Sequence, residues 1–209
     1  VLEERKKLAI ALKRTSEPQS EPFTLDQMKV YLRVDDDSDD DFISVLITAA
    51  RERVEDLTGR CLMQQQWQLG LDRFPYHRGE ILLPRAPLLS LDSITYLDLV
   101  GQRVTLSDYT VDELSEPTRI RPARNTTWPQ HVTDTNSIVI TFTVGYAVVP
   151  QSLQQAMRLI AASYYDNRAE VVQGASFASL PPPLSAQSLM STYELFPVGY
   201  PAPEDQRWY

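Results

Sequence analysis

The longest regular pattern in the chain runs from Asp39 to Gly59. Ile43, Ile47, Ala50, Val54 and Leu57 recur at i, i+4, i+7, i+11 and i+14, which is one face of a helix. Phe42, Val45, Leu46 and Ala49 form a second apolar set that widens the stripe over the first half. A helix apolar on two sides has two packing partners. One is the body of its own domain; the other is either a second internal layer or a neighbouring subunit. Both ends are marked. Ser38 is the expected N-cap, with Asp41 three residues on as in a capping box. Asp39, Asp40 and Asp41 fall in the first turn, where the helix dipole favours negative charge. Gly59 stands where a left-handed residue ends a helix.

Other helical patterns flank this one. Leu2, Leu8, Ile10 and Leu12 among charged residues predict a short amphipathic helix over Leu2–Arg14, and residues 15–22 (TSEPQSEP) read as a proline-bearing linker. Residues 1–22 are therefore expected to be an arm, and Arg5-Lys6-Lys7 a solvated helix face. Thr24 and Gln27 form a capping box, with Phe23 and Met28 as a hydrophobic staple, for a helix ending near Arg33. Later, Pro150 opens a helix to about Asn167 with Leu153, Met157, Ile160 and Tyr164 on one face. Leu184–Leu195 is a last short helix.

Between residues 61 and 148 the period changes from 3.6 to 2. Trp67, Leu69 and Leu71 alternate with polar or small residues, as do Ile94 and Tyr96; Ile81 and Leu83 lie between them. Val100-Gly101-Gln102 reads as a hairpin turn into Arg103–Leu106. Tyr109–Val111 and Arg119–Arg121 are short strands, and Ile138, Ile140, Phe142 and Val144 mark the clearest one. The fold class is α+β. A helical body of residues 23–60 and 149–195 carries an antiparallel β-module, residues 61–148, inserted between its second and third helices; residues 196–209 form an extended tail.

Composition narrows the function. The chain has 209 residues and a net charge of −8, which argues against a protein that clamps DNA through its phosphates. One cysteine, Cys61, excludes an internal disulfide and a multi-cysteine zinc site, and its apolar setting predicts a buried, inert thiol. The acidic run Asp35–Asp41 holds six aspartates but fails as an EF-hand. From Asp35, positions 6 and 12 are Asp40 and Leu46; from Asp37 they are Phe42 and Thr48. Capping and solvated charge are the reading. There is no phosphate-binding glycine loop and no His-Glu-x-x-His. The Gly174–Ala178 stretch is no nucleophile elbow. His77 and His131 lie in loop-like segments without paired ligands and read as surface histidines. No catalytic, cofactor-binding or metal-binding residue is nominated. No secretory segment and no run of 18 apolar residues is present, so a soluble, cytoplasmic chain is expected.

Leu32-Arg33-Val34, Asp35 to Asp41, Ala49-Ala50-Arg51, Glu55 and Thr58-Gly59-Arg60 together resemble the signature of head–tail connector (adaptor) proteins of long-tailed bacteriophages and gene transfer agents. The likeness resumes at Val149-Pro150 and the helix that follows, and weakens after about Ala169. The motif is structural, so it implies a fold and a role in assembly rather than chemistry. The resemblance implies a virion protein of the neck, present in the host cytoplasm before assembly. It implies a ring of its own copies, dodecameric, bridging the portal protein and a tail-side connector or stopper protein. Genome DNA would pass through the lumen without sequence-specific binding, and an acidic lumen would prevent adhesion. A small acidic non-viral binding domain and a hydrolase with an unrecognised site are the alternatives.

The C-terminal segment FPVGYPAPEDQRWY carries three prolines and four aromatics. Leu195, Phe196, Tyr200, Trp208 and Tyr209 have the large apolar area typical of binding hot spots. Pro197, Pro201 and Pro203 stiffen the backbone and lower the entropy lost on docking. These five residues are the candidate contacts to the portal or a neighbouring subunit; the other reading folds them back on their own subunit.

Overall fold

The computed structural model describes residues 10–76, 79–167 and 181–195. The described residues divide into two compact units: residues 18–64, 146–167 and 181–195 form one, and residues 10–17 and 65–145 the other.

The first unit is helical. It contains α1 (Leu25–Leu32), α2 (Asp40–Thr58), α3 (Gln151–Asp166) and α4 (Leu184–Met190), followed by a 3₁₀ turn over Ser191–Tyr193. The box that starts α1 is formed as expected: Gln27 N–H donates to Thr24 Oγ1 at 3.3 Å and Thr24 N–H to Gln27 Oε1 at 3.0 Å. Phe23 and Met28, the staple pair, are both buried. Arg33 ends α1 in the left-handed region at φ 59°.

The buried stripe of α2 is Ile43, Leu46, Ile47, Ala50, Val54 and Thr58, with Arg51 and Glu55 inside it. These helical apolar residues pack with Leu153, Ala156, Met157, Ile160, Ala161 and Tyr164 of α3 and with Ala186 and Met190 of α4 in one core. Two members of the expected apolar sets sit elsewhere: Leu57 and Val45 face solvent, 36% and 56% exposed. Leu57 follows the period, but Glu55 and Thr58 take the buried positions beside it because both have internal partners.

The second unit is all strand, and every pairing is antiparallel. A five-stranded sheet has the order β1-β2-β8-β4-β5, from β1 (Ile10–Arg14), β2 (Gln65–Leu71), β8 (Ile138–Val144), β4 (Leu88–Leu97) and β5 (Arg103–Thr105). A three-stranded sheet has the order β3-β7-β6, from β3 (Ile81–Leu82), β7 (Arg119–Pro122) and β6 (Tyr109–Asp112). Strand β8 is central, and Ile138, Ile140, Phe142 and Val144 are buried while the residues between them are half-exposed. That alternation is the strand pattern expected from the sequence.

The N-terminal segment corrects one expectation. Residues 10–14, expected to be the end of an amphipathic helix, form edge strand β1, with Leu12 opposite Leu69 and Arg14 opposite Trp67. The segment IALKR is as well suited to period 2 as to period 3.6, and pairing with β2 satisfies its backbone along one side. Beyond it, Thr15 Oγ1 donates to the Gln66 carbonyl at 3.1 Å and Gln66 N–H to Ser16 Oγ at 2.9 Å, extending the attachment.

Candidate assembly surfaces and the junction behind them

The Ala49-Ala50-Arg51, Glu55 and Thr58-Gly59-Arg60 motif builds one buried junction in the helical unit. The Arg51 side chain is 3% exposed. Its Nε donates to Glu21 Oε2 at 2.9 Å and its Nη1 to Glu55 Oε2 at 3.1 Å, one helical turn on. Thr48 Oγ1 donates to the other Glu21 oxygen at 3.0 Å. Glu55 Oε1 accepts the Leu62 N–H at 2.7 Å, so the carboxylate also anchors the chain as it leaves the helix. Burial pulls the guanidinium down, but the charges of Glu55 and then Glu21 outweigh it and hold Arg51 above the usual arginine range.

The rest of the motif turns the chain. Thr58 Oγ1 donates back to the Val54 carbonyl at 2.7 Å and accepts the Arg60 N–H at 3.2 Å. Gly59 adopts φ +72°, where a side chain is strained. Arg60 Nε donates to the Tyr193 carbonyl at 2.6 Å and Nη1 to the Tyr146 hydroxyl at 3.0 Å, so it ties the start of the returning segment to the last described turn. The alanines give close packing: Ala50 is fully buried against the core.

The acidic turn is more structured than solvated charge alone. Ser38 does not cap α2. Its backbone N–H donates to Asp36 Oδ1 at 2.9 Å and its hydroxyl donates to the same oxygen, and the N-cap is Asp39, which makes no side-chain capping bond. The aspartate two residues before Ser38 competes for its hydroxyl, an Asx-type turn that sequence spacing does not distinguish from a cap. Those two hydrogen bonds hold the Asp36 carboxyl below its usual range. Asp39 Oδ2 accepts the Tyr165 hydroxyl of α3 at 2.6 Å. Lys29 reaches from α1 to Asp37 at 2.6 Å and Asp40 at 2.7 Å, and these partners, Asp37 first, raise its ammonium well above the usual lysine range. Among the described residues no group of three His, Cys, Asp or Glu side chains is placed to hold a metal ion.

The other candidates are located plainly. Leu195 is half-buried; its N–H donates to the Thr58 carbonyl at 2.8 Å, and its side chain lies beside Gly59. Phe196, Tyr200, Trp208 and Tyr209 lie outside the described residues, as does His77. His131 is a half-buried packing residue rather than a surface one: its Nε2 accepts the Phe74 N–H at 3.3 Å and its ring meets the Phe74 ring edge-on. Trp128 stacks on the Phe74 ring at 4.7 Å between centroids and donates Nε1–H to the Gly79 carbonyl at 2.8 Å. Cys61 is buried. No helix among the described residues is long and apolar enough to cross a membrane.

Exposed large apolar side chains are scattered over the described residues, Leu114, Val148 and Leu184 among them, and in two places a pair of them is adjacent in sequence. On the helical unit, Val30 (79% exposed) and Tyr31 line a shallow groove with Asp26, Gln27 and Arg158. On the strand unit, Leu99 and Val100 stand at the tip of the β4–β5 hairpin.

Residues 22–95, from just before α1 through most of β4, match the family model of the phage gp6-like head-tail connector protein. Over that segment, about a third of the chain, the sequence is similar to phage head–tail connector proteins. Among solved structures, the chain is similar to one from the neck of an empty gene transfer agent particle computed with C6 symmetry, at TM-score 0.73 and 20% identity, covering 92% of this chain and 100% of that one. A chain from the virion of a native gene transfer agent particle gives TM-score 0.72 at 20% identity, covering 90% of this chain and 96% of that one. A third, from the neck of a native particle computed with C12 symmetry, gives TM-score 0.70 at 20% identity, with 92% and 100% covered. A comparison with curated proteins finds no match.

Proposed function

We propose that copies of this chain form a closed ring in the neck of a virus-like particle, between a portal protein and a tail-side connector or stopper protein. The observation that carries the reading is the end-to-end likeness to a neck chain, covering 100% of that chain, combined with the connector motif that builds the junction of α2. Twelve copies is the reading that the C12 neck favours, and the C6 neck is compatible with it as a subgroup. The chain is then a protein of the virion that performs no catalysis of its own. Genome DNA passes through the lumen, and the net charge of −8 favours passage over adhesion. Residues 196–209, with Leu195, Phe196, Tyr200, Trp208 and Tyr209 as contacts, dock on the portal or a neighbouring copy.

The test is deletion. Particles made without the chain should contain filled heads and separate tails that do not join, and the intact chain supplied in trans should restore joining. Normal tailed particles in its absence would overturn the role. Removal of residues 196–209 should leave the melting temperature of the chain nearly unchanged and abolish its attachment to heads. A truncated chain that attaches normally removes the docking assignment.

A further inference from the structure

We infer that the β4–β5 hairpin tip of one copy docks into the α1–α3 groove of the next copy, forming one contact of the ring. This rests on the ring reading above. The starting point is the tip itself. Leu99 and Val100 are 65% and 80% exposed, in a turn where polar residues are the usual choice. Their backbone is fixed. Asp98 Oδ1 accepts N–H groups from Val100 at 2.9 Å and Gln102 at 2.8 Å, Gly101 N–H donates to the Asp98 carbonyl at 3.0 Å, and Gly101 takes φ +80°. A tip pre-set in this way loses little entropy on binding, so its aliphatic area is available as affinity.

The groove on the helical unit is the matching feature. It measures about 380 Å³ and is lined by Asp26, Gln27, Val30, Tyr31 and Arg158. Its walls are also held: Gln155 Nε2 donates to the Tyr31 hydroxyl at 3.2 Å, and the Arg158 guanidinium sits 5.2 Å from the centre of the Phe23 ring.

Two arguments commit the occupant to a second copy. A ring of identical copies is heterologous: each copy needs two different, complementary patches, whereas a self-matching patch closes a dimer. A hairpin tip and a shallow groove, placed on different units of the chain, are such a pair. The charges are complementary as well. Asp98, just after β4, and Arg103, the first residue of β5, stand on either side of the tip, with Arg103 held by Thr95 Oγ1 at 3.2 Å and the Asn136 carbonyl at 3.5 Å; Arg158 and Asp26 line the groove, so each side offers one charge of each sign. Charges at such a rim set register and partner choice more than affinity.

The experiment is disulfide trapping in the full chain. Val30→Cys and Val100→Cys are introduced together, and the protein is oxidised mildly, both in concentrated solution and within assembled particles. The expected result is a ladder of covalent multimers, absent from the parent chain, whose Cys61 is buried, and from either single variant. A second variant, Leu99→Asp with Val100→Asp, should weaken self-association at least tenfold with an unchanged melting temperature. Rings that form without any ladder and tolerate the aspartates would overturn this interface and leave the ring reading standing. Cross-linking to a different particle protein would overturn the second-copy assignment. A parent chain that forms no ring, alone or in particle necks, would overturn the ring reading and this contact with it.

Discussion

Replacing Arg51 by Met tests the junction of α2. Methionine roughly fills the space of the arginine stem, so the loss isolates the charge rather than a cavity. The Glu55 side chain is 6% exposed and would lose the bond from Arg51 on Oε2, while Oε1 still accepts the Leu62 N–H. Removing one member of a buried ion pair costs about 3–5 kcal/mol, because the partner charge is left without compensation. Glu55→Gln keeps an acceptor for Leu62 but loses the charge-assisted bond from Arg51, a loss of about 1.5–3 kcal/mol. The double variant should cost less than the sum, with a coupling of roughly 0.5–3 kcal/mol, since removing the glutamate charge relieves the burial that Arg51→Met exposes. The assay is urea unfolding of the four proteins, followed by the helical circular-dichroism signal, with midpoints compared at constant slope. A cost for Arg51→Met below about 1 kcal/mol, the value of an exposed pair, would refute the account of a buried anchor, as would strict additivity in the double variant.

Three further outcomes follow from the geometry. Gly70→Ala should destabilise the strand unit by about 1–3 kcal/mol, because an added Cβ would stand 2.2 Å from Asn136 Oδ1 and 3.3 Å from the Ala11 Cβ; a neutral result in thermal unfolding would show that the Asn136 turn moves freely. Thr24→Ala should cost about 0.5–2 kcal/mol through its lost cap, while Ser38→Ala should stay within about 0.5 kcal/mol, and urea midpoints in the reverse order would restore Ser38 as the cap. The Asp112 carboxyl is held below its usual value of 3.8 by the Ser115 hydroxyl first and then Arg119. Its contribution is therefore present above pH 3.8 and lost as pH falls through the lower folded value. Amide exchange in the β6–β7 hairpin should rise across that window, and the Asp112→Asn chain should lack that step.

The elements were legible because their patterns were strong. The helix of residues 39–58, the hairpin at Val100–Gln102 and the alternation of β8 follow from periods that only one local structure satisfies. The motif from Ala49 to Arg60 was also legible in sequence, although its physical content was not: spacing shows Arg51 and Glu55 one turn apart, but only the packing reveals that both are buried and that Glu21, in a stretch read as a linker, completes the network. Ile10–Arg14 was misread because five residues fit two periods, and a strand partner 50 or more residues away decides between them. Ser38 failed for a local reason, since Asp36 competes for the same hydroxyl. His131 was read as exposed because its partners, Phe74 and Pro129, have no shared sequence signal with it. The groove at Val30 and Tyr31 could have been suspected from two apolar residues at the polar end of α1. The tip at Leu99 and Val100 could have been suspected from aliphatic residues in a turn.

The most direct test of the central claim is a cryo-electron reconstruction of the neck of particles carrying this chain with a small rigid label fused at its N-terminus. The account predicts label density repeated around the neck axis, one per copy in a closed ring of twelve, between portal and tail. Label density on the capsid shell or the tail tube, or a single copy in the neck, would contradict it.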